Sequence, residues 1–383
     1  MSAHHAARHV ARYLFLSIIG LAVVFAATMY LQIQGRAETT RKLSKVQEDY
    51  DALKKVDQKV RNDRLEDEIK KIQTTYNDTV SVYENLLKLR EKNAKISDLE
   101  SEFAHILRSL SDKDYTSASA QLVKLQKTID TKNAEIAAAF QIPANVPASN
   151  TPPGAGYSRQ SVSSEVGTFL VDIVAADLNS TRVIVDTASD GTCGNDCPVE
   201  SLGTFAGRSG AFAGINGPYF CPSSYPSCAG KTNSFDTLLM NKNKTYFNSD
   251  NNVYSTVPAV IFSGSSARFV GQSLEWGRDT GVDSVIASQP MLLSGGNVVY
   301  GGDDEVKRAG KGSRSFIGTK GSTVYIGVVH NANVAEVARV LKALGLEYAL
   351  NLDSGGSTAL WSGGRYVVGP GRNTPFGILL VSK

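Results

Sequence analysis

Tyr348-Ala349-Leu350-Asn351-Leu352-Asp353-Ser354-Gly355-Gly356-Ser357-Thr358 decides how the rest of this chain is read. Its short apolar run predicts a buried strand that ends on an acid and then on two glycines flanked by hydroxyls. Glycines can take positive φ angles that turn successive amide N–H groups inward, a concavity suited to an anion. A carboxylate beside such a cradle points to chemistry at a phosphorylated or otherwise anionic group. The same residues would also serve an ordinary strand-to-helix turn.

Two further runs set the context: Gly214-Ile215-Asn216-Gly217-Pro218-Tyr219-Phe220 upstream, and Ser313-Arg314-Ser315-Phe316-Ile317-Gly318 between. In this order, Asn-Gly-x-aromatic-Phe, Arg-Ser-x-Ile-Gly and Asn-Leu-Asp-x-Gly-Gly-Ser, the chain resembles the phosphodiester glycosidase family from about Val166 onward. Gln289-Pro290-Met291-Leu292-Leu293 and Asn373-Thr374-Pro375-Phe376-Gly377-Ile378 look like further family segments. Ser354 and Pro218 stand where glycine is usual, which bears on pocket geometry and leaves the fold reading intact. The resemblance implies an α+β domain that hydrolyses a sugar linked through a phosphodiester. It casts Asp353, Arg314 and Asn216 as catalytic, and Asn351, Gly355, Gly356 and Ser357 as substrate-binding.

These roles fit the residue types. A planar guanidinium such as Arg314 can grip two phosphate oxygens. Asp353 can act as base for water or as electrostatic partner of a sugar cation. Phosphate is already a good leaving group, so a strong general acid is less necessary. Asp303, Asp304, Glu305 and Asp236 are possible second carboxylates. A serine nucleophile at Ser354 or Ser357 would need His330, the one histidine of this region, and no Gly-x-Ser-x-Gly elbow is present. Asp353 with Asp303 or Asp304 could hold a hard cation, but no ligand spacing is specific enough to predict a metal, and no cofactor is expected.

Charge excludes nucleic acid as a partner. Ser161–Lys383 carries 17 Lys+Arg against 18 Asp+Glu, and the remainder 23 against 19. Tyr13 to Gly35 is free of charge and apolar at Leu14–Ala27, which predicts an uncleaved membrane-spanning signal-anchor. Positive charge after this span (Arg36, Arg41, Lys42, Lys45) argues against an exported C-terminus. The cysteines argue for one. All four, Cys193, Cys197, Cys221 and Cys228, lie in the C-terminal part, where an even, clustered number suits disulfides made outside the cytoplasm. Bridges Cys193–Cys197 and Cys221–Cys228 would each close a short loop. A four-thiolate zinc site fits these spacings poorly.

Between roughly residues 37 and 140 apolar residues recur at steps of three and four: Leu43, Val46, Tyr50, Leu53; Leu65, Ile69, Ile72, Tyr76, Val80, Tyr83, Leu87; Ile96 to Leu110; Leu122 to Ile136. This predicts helices with one apolar stripe, broken near Asp57–Arg64 and Lys88–Ala94, forming either a self-associating coiled-coil stalk or a helical hairpin. A Pro-rich linker over 141–160 follows. Short β-type runs then predict a largely antiparallel or mixed sheet, with one clear helix over Val334–Leu344 closed by Gly345.

The expected organisation is therefore 1–36 tail and anchor, 37–140 helical stalk, 141–160 linker and 161–383 α+β domain. The expected function is a membrane-anchored, exported, single-pass glycosyl-phosphodiester hydrolase acting on a surface glycan, with a homo-oligomer through the stalk. The competing reading is a non-catalytic glycan-binding module on that stalk.

Overall fold

The computed structural model describes the backbone of residues 3–383 except 56, 93, 249–255, 278, 279 and 304. Side chains are described at 17 and from 19 onward, apart from those positions and 57 and 306. The chain divides into two compact units, Met1–Thr75 and Tyr76–Lys383.

The first unit is helical. Helix α1 runs over Ala3–Lys55, and α2, Asp57–Glu91, begins in it and continues into the second unit. The stripe at Leu43, Val46, Tyr50 and Leu53 is exposed. The expected membrane-spanning helix is not supported: no helix among the described residues is long and apolar enough to cross a membrane. Past Ala27 the uncharged run is diluted by Thr28, Gln32, Gln34 and Gly35. Tyr13–Leu16 and Ile18, at its apolar start, lie outside the residues whose side chains are described.

In the second unit the end of α2 packs with α3 (Ser97–Ser111) and α4 (Tyr115–Ala139). Leu86, Leu89, Leu99, Ile106, Leu122 and Leu125 form the seam, as the three-and-four spacing requires. The turn between α3 and α4 is set by Asp114, whose carboxylate accepts the Ser117 N–H at 3.0 Å and caps α4.

The remainder is built from three antiparallel sheets, so the α+β expectation is met in its antiparallel form. The seven-stranded sheet contains β1 (Gly156–Ser164), β2 (Gly167–Asp177), β10 (Met291–Ser294), β11 (Asn297–Val298), β12 (Gly312–Lys320), β13 (Thr323–Ala332) and β14 (Tyr348–Asn351), in the order β1-β2-β13-β12-β14-β10-β11. A five-stranded sheet takes β3 (Thr181–Thr187), β4 (Ala213–Asn216), β15 (Leu360–Ser362), β16 (Arg365–Val368) and β17 (Phe376–Ser382). The third has β5 (Leu239–Met240), β6 (Tyr246–Phe247), β7 (Ala259–Ser263), β8 (Ser266–Val270) and β9 (Ser284–Ala287).

Period-two alternation divides the side chains between two cores. On β12, Ile317 faces a core shared by all three sheets, while its neighbour Phe316 faces the opposite side. That opposite side is covered by helix α6 (Val334–Ala343) through Val334, Val337, Ala338 and Leu341; α5 (Leu202–Arg208) covers the five-stranded sheet. A capping box between Asn333 and Glu336 starts α6, and Gly345, at φ 75°, follows its end. The chain from α6 therefore enters β14 in register and delivers Asn351 and Asp353 to the end of the sheet.

Candidate active site

Asp353 is positioned by backbone and by one amide. Its N–H donates to Gly217 O at 3.1 Å, and its carbonyl accepts Asn216 Nδ2 at 2.6 Å. Asn216, at the end of β4, is 1% exposed. Its Oδ1 accepts the Ser315 hydroxyl at 2.8 Å and the Ala359 N–H at 3.1 Å. Every polar atom of this amide is held by protein, so Asn216 ties β4, β12 and the Asp353 loop together instead of facing a ligand.

The carboxyl of Asp353 accepts the Ser354 N–H at 2.8 Å and is bonded by Ser357. Some of its surface stays open, yet it sits in a crowded cleft. Burial pushes its pKa up to about 6, against the Ser357 hydrogen bond and the Arg372 charge, which pull it down. Asp236 adds to the rise through its negative charge, and its own carboxyl is pushed up by burial. Of the carboxylates considered as seconds, Asp236 is thus the one acting on Asp353. Asp303 and Glu305 instead pair with Arg308 at 2.7 and 3.4 Å, and Asp304 lies outside the described residues.

Gly355 and Gly356 do form a tight turn after Asp353, with Gly355 at φ 63°. The guanidinium over that turn belongs to Arg372, whose backbone N–H donates to Gly356 O at 2.7 Å. A Cβ at Gly356 would collide with Arg372 Nη2 and with the carboxylate of Glu91. Glu91, the last residue of α2, is ion-paired to Arg372 there. An anionic group of the chain itself therefore rests on the glycine turn.

The end of α2 is fixed on this site by more than one contact. Glu84, 5% exposed, accepts the Ser227 N–H at 3.1 Å, inside the loop closed by the Cys221–Cys228 disulfide. Tyr225 of that loop has Lys88, Lys307 and Arg372 over its ring at 6.0, 5.8 and 5.2 Å. Burial, then the nearby Lys307 charge, pushes Lys88 down to about 8. The second disulfide joins Cys193 and Cys197, so both bridges fall where short-loop closure placed them.

Arg314 lies at the same cleft but grips backbone. Its Nε donates to Ala332 O at 3.2 Å and its Nη2 to Lys307 O at 2.9 Å and to Gly310 O. Among the described residues no carboxylate forms an ion pair with it. Burial lowers its pKa, opposed by the neighbouring Tyr219 hydroxyl and by the Asp353 charge.

Asn351 is fully buried; its Nδ2 donates to the Tyr219 hydroxyl at 2.7 Å, to Gln289 O and to Leu352 O, while Oδ1 has no hydrogen-bond partner. An acceptor desolvated without a donor is costly. Burial, then the Asp353 charge, raises Tyr219 above its ordinary value, so it stays a neutral O–H donor. Tyr219 and Arg372 were not among the candidates drawn from sequence. An aromatic next to Phe220 reads as core, and Arg372 sits in a glycine- and proline-rich loop outside the three motifs. Neither Ser354 nor Ser357 meets His330. Ser354 Oγ donates to Leu352 O, Ser357 bonds Asp353, and His330 turns to Ser313. Among the described residues no group of three His, Cys, Asp or Glu could hold a metal ion.

Residues 209–381 match the model of the phosphodiester glycosidase family. Similar solved structures include a hypothetical protein from Synechocystis, at 15% identity and TM-score 0.46, covering 59% of this chain and 62% of that one. The chain thus spans less than two thirds of that protein. Another is the zebrafish N-acetylglucosamine-1-phosphodiester alpha-N-acetylglucosaminidase catalytic domain, auto-inhibited by its pro-peptide, at 14% identity and TM-score 0.46, covering 61% of this chain and 85% of that one. No curated protein matches the chain. Asn216, Arg314 and Asp353 all lie inside residues 209–381, the segment that matches the phosphodiester glycosidase family.

Proposed function

We propose that this domain hydrolyses a glycosyl phosphodiester on a glycan or glycoconjugate, with Asp353 as the reacting carboxylate and Arg372 as the phosphate's cation. The observation that carries this reading is the Glu91 carboxylate seated on Arg372 and the Gly356 turn, beside Asp353. A carboxylate there stands where an anionic oxygen of the substrate would lie. Ionised Asp353 activates water or stabilises the developing sugar cation. The Tyr219 hydroxyl and Asn351 Oδ1 take sugar hydroxyls, and Arg314 braces the cleft wall while adding positive charge.

In this reading Glu91 must withdraw before substrate enters, so the end of α2 acts as a removable cover. The disulfides favour an oxidising, extracytoplasmic setting. The exposed stripe of α1 is the surface through which copies of the chain would associate.

The test is sugar release from a sugar-1-phosphate diester by wild type, Asp353→Asn and Arg372→Ala. Turnover that falls at least about 100-fold in Asp353→Asn with the fold retained supports the proposal. Binding without turnover in the wild type would make the domain a glycan-binding module instead.

A further inference from the structure

The seven-stranded sheet holds a second polar constellation, one that Asp353 chemistry does not use. Asp172, fully buried on β2, has Oδ2 2.7 Å from His330 Nε2 on β13. The other ring nitrogen, Nδ1, lies 3.1 Å from Ser313 Oγ on β12. Oδ1 of Asp172 accepts the Tyr157 hydroxyl and faces Arg159 Nε at 3.4 Å. A carboxylate so held fixes a proton on Nε2 and leaves the Nδ1 lone pair aimed at the serine hydroxyl. Acid orienting base, and base reaching a hydroxyl, is the order that activates a nucleophile. The two ring nitrogens are exchanged relative to the common serine-hydrolase arrangement, and each can do the other's task.

The backbone is bent to make this meeting. The β12–β13 ladder slips between Gly312 and Arg314, and Asn331, next to His330, takes φ 52°. Such bulges re-aim side chains at the ends of sheets, and a non-glycine residue at positive φ is uncommon. Ser313 is partly buried and the His330 side chain 12% exposed, so neither is sealed in the core. Phe140 lies nearly parallel to the imidazole, with ring centres 6.5 Å apart, and Asn331 Nδ2 donates to Ala137 O at 2.8 Å. The end of α4 thus forms an apolar wall beside the histidine, suited to a small uncharged acyl group.

We propose that Ser313, His330 and Asp172 form a serine-nucleophile centre that hydrolyses small, uncharged carboxylic esters. Ser313 Oγ attacks the ester carbonyl as its proton passes to His330 Nδ1. The acyl C–O bond then breaks, and the leaving alkoxide takes that proton and departs as the alcohol. Water attacks the acyl-serine, giving a proton to Nδ1. The Oγ–acyl bond breaks, the carboxylic acid leaves, and Ser313 regains its proton. Asp172 keeps the imidazolium oriented throughout.

The full chain, treated with a fluorophosphonate probe and assayed on p-nitrophenyl acetate, provides the test. The expected result is one probe per chain, located on Ser313 by peptide mass spectrometry. Ser313→Ala should abolish labelling, and Ser313→Ala and His330→Ala should each lower kcat/KM for the ester by at least about 100-fold. Asp172→Asn, which keeps the shape and frees the wrong tautomer, should also fall. A wild-type chain that takes no probe, or a Ser313→Ala chain that turns over at the wild-type rate, overturns the proposal. Should the His330 or Asp172 variants unfold, Ser313→Ala, which removes only the hydroxyl of a partly buried residue, still separates the two outcomes.

Discussion

Glu91→Gln tests the cover directly. The substitution keeps side-chain length and an acceptor oxygen, and removes the charge that rests on Arg372 and the Gly356 turn. Both partners are largely shielded, Arg372 at 19% and Glu91 at 29% exposure. A hydrogen bond to a charged group contributes about 1.5–3 kcal/mol, and this partly wet pair belongs near the lower end. Each 1.4 kcal/mol is a factor of ten, so losing about 1.5–2 kcal/mol of self-occupancy should tighten an anion at this site by about 10- to 30-fold. Titration calorimetry with inorganic phosphate reads that change, and initial rates on a sugar-1-phosphate diester should rise in parallel at low substrate. The gain should vanish in Glu91→Gln/Arg372→Ala. The helical hairpin should also detach more readily, with Glu84 to Ser227, Asn331 to Ala137 and Lys92 to Lys311 left as polar tethers. Unchanged or weaker phosphate affinity in a folded Glu91→Gln chain would refute the reasoning, because the carboxylate would then not compete for Arg372.

Three further outcomes are expected. Asp353 must lose its proton to act as base, so turnover on the phosphodiester should rise as pH passes about 6, and a profile flat from pH 5 to 8 would contradict that role. The same raised pKa makes ionised Asp353 a cost to folding, absent below the unfolded carboxyl's range and fully present above about 6; Asp353→Asn should therefore raise the melting temperature at pH 7 and change it little at pH 4. Asn216→Ala deletes four hydrogen bonds at a 1% exposed position and should cost about 3 kcal/mol in urea unfolding; a loss below about 1 kcal/mol would show instead that the amide does not tie the sheets together.

Much of this architecture was readable because it is local. The apolar run Thr323–Val329 buries both faces of its strand, the three-and-four spacing of Val334, Val337, Ala338 and Leu341 buries one face of its helix, and both elements formed where those patterns put them. The acid, the glycine turn and the two disulfides were also legible, each lying within a few residues of its partner. Glu91 and Arg372 were not, since 281 positions separate them and only folding brings helix and loop together. Arg314 has the right chemistry at the right cleft, but three carbonyls claim its donors, a use that no motif discloses. The uncharged run near the N-terminus had the length of a membrane span, while its described portion is too dilute in apolar side chains.

Asn216 has a consequence for how such a protein can change. One amide rivets two sheets and the acid-bearing loop, so Asp353 inherits the stiffness of the deepest part of the molecule. The helices beside it are held by contacts spread over several residues, Glu84, Glu91 and Ala137 among them, so no single change there would free them. A change at Asn216 would therefore be felt at once in both sheets and in the loop that carries Asp353.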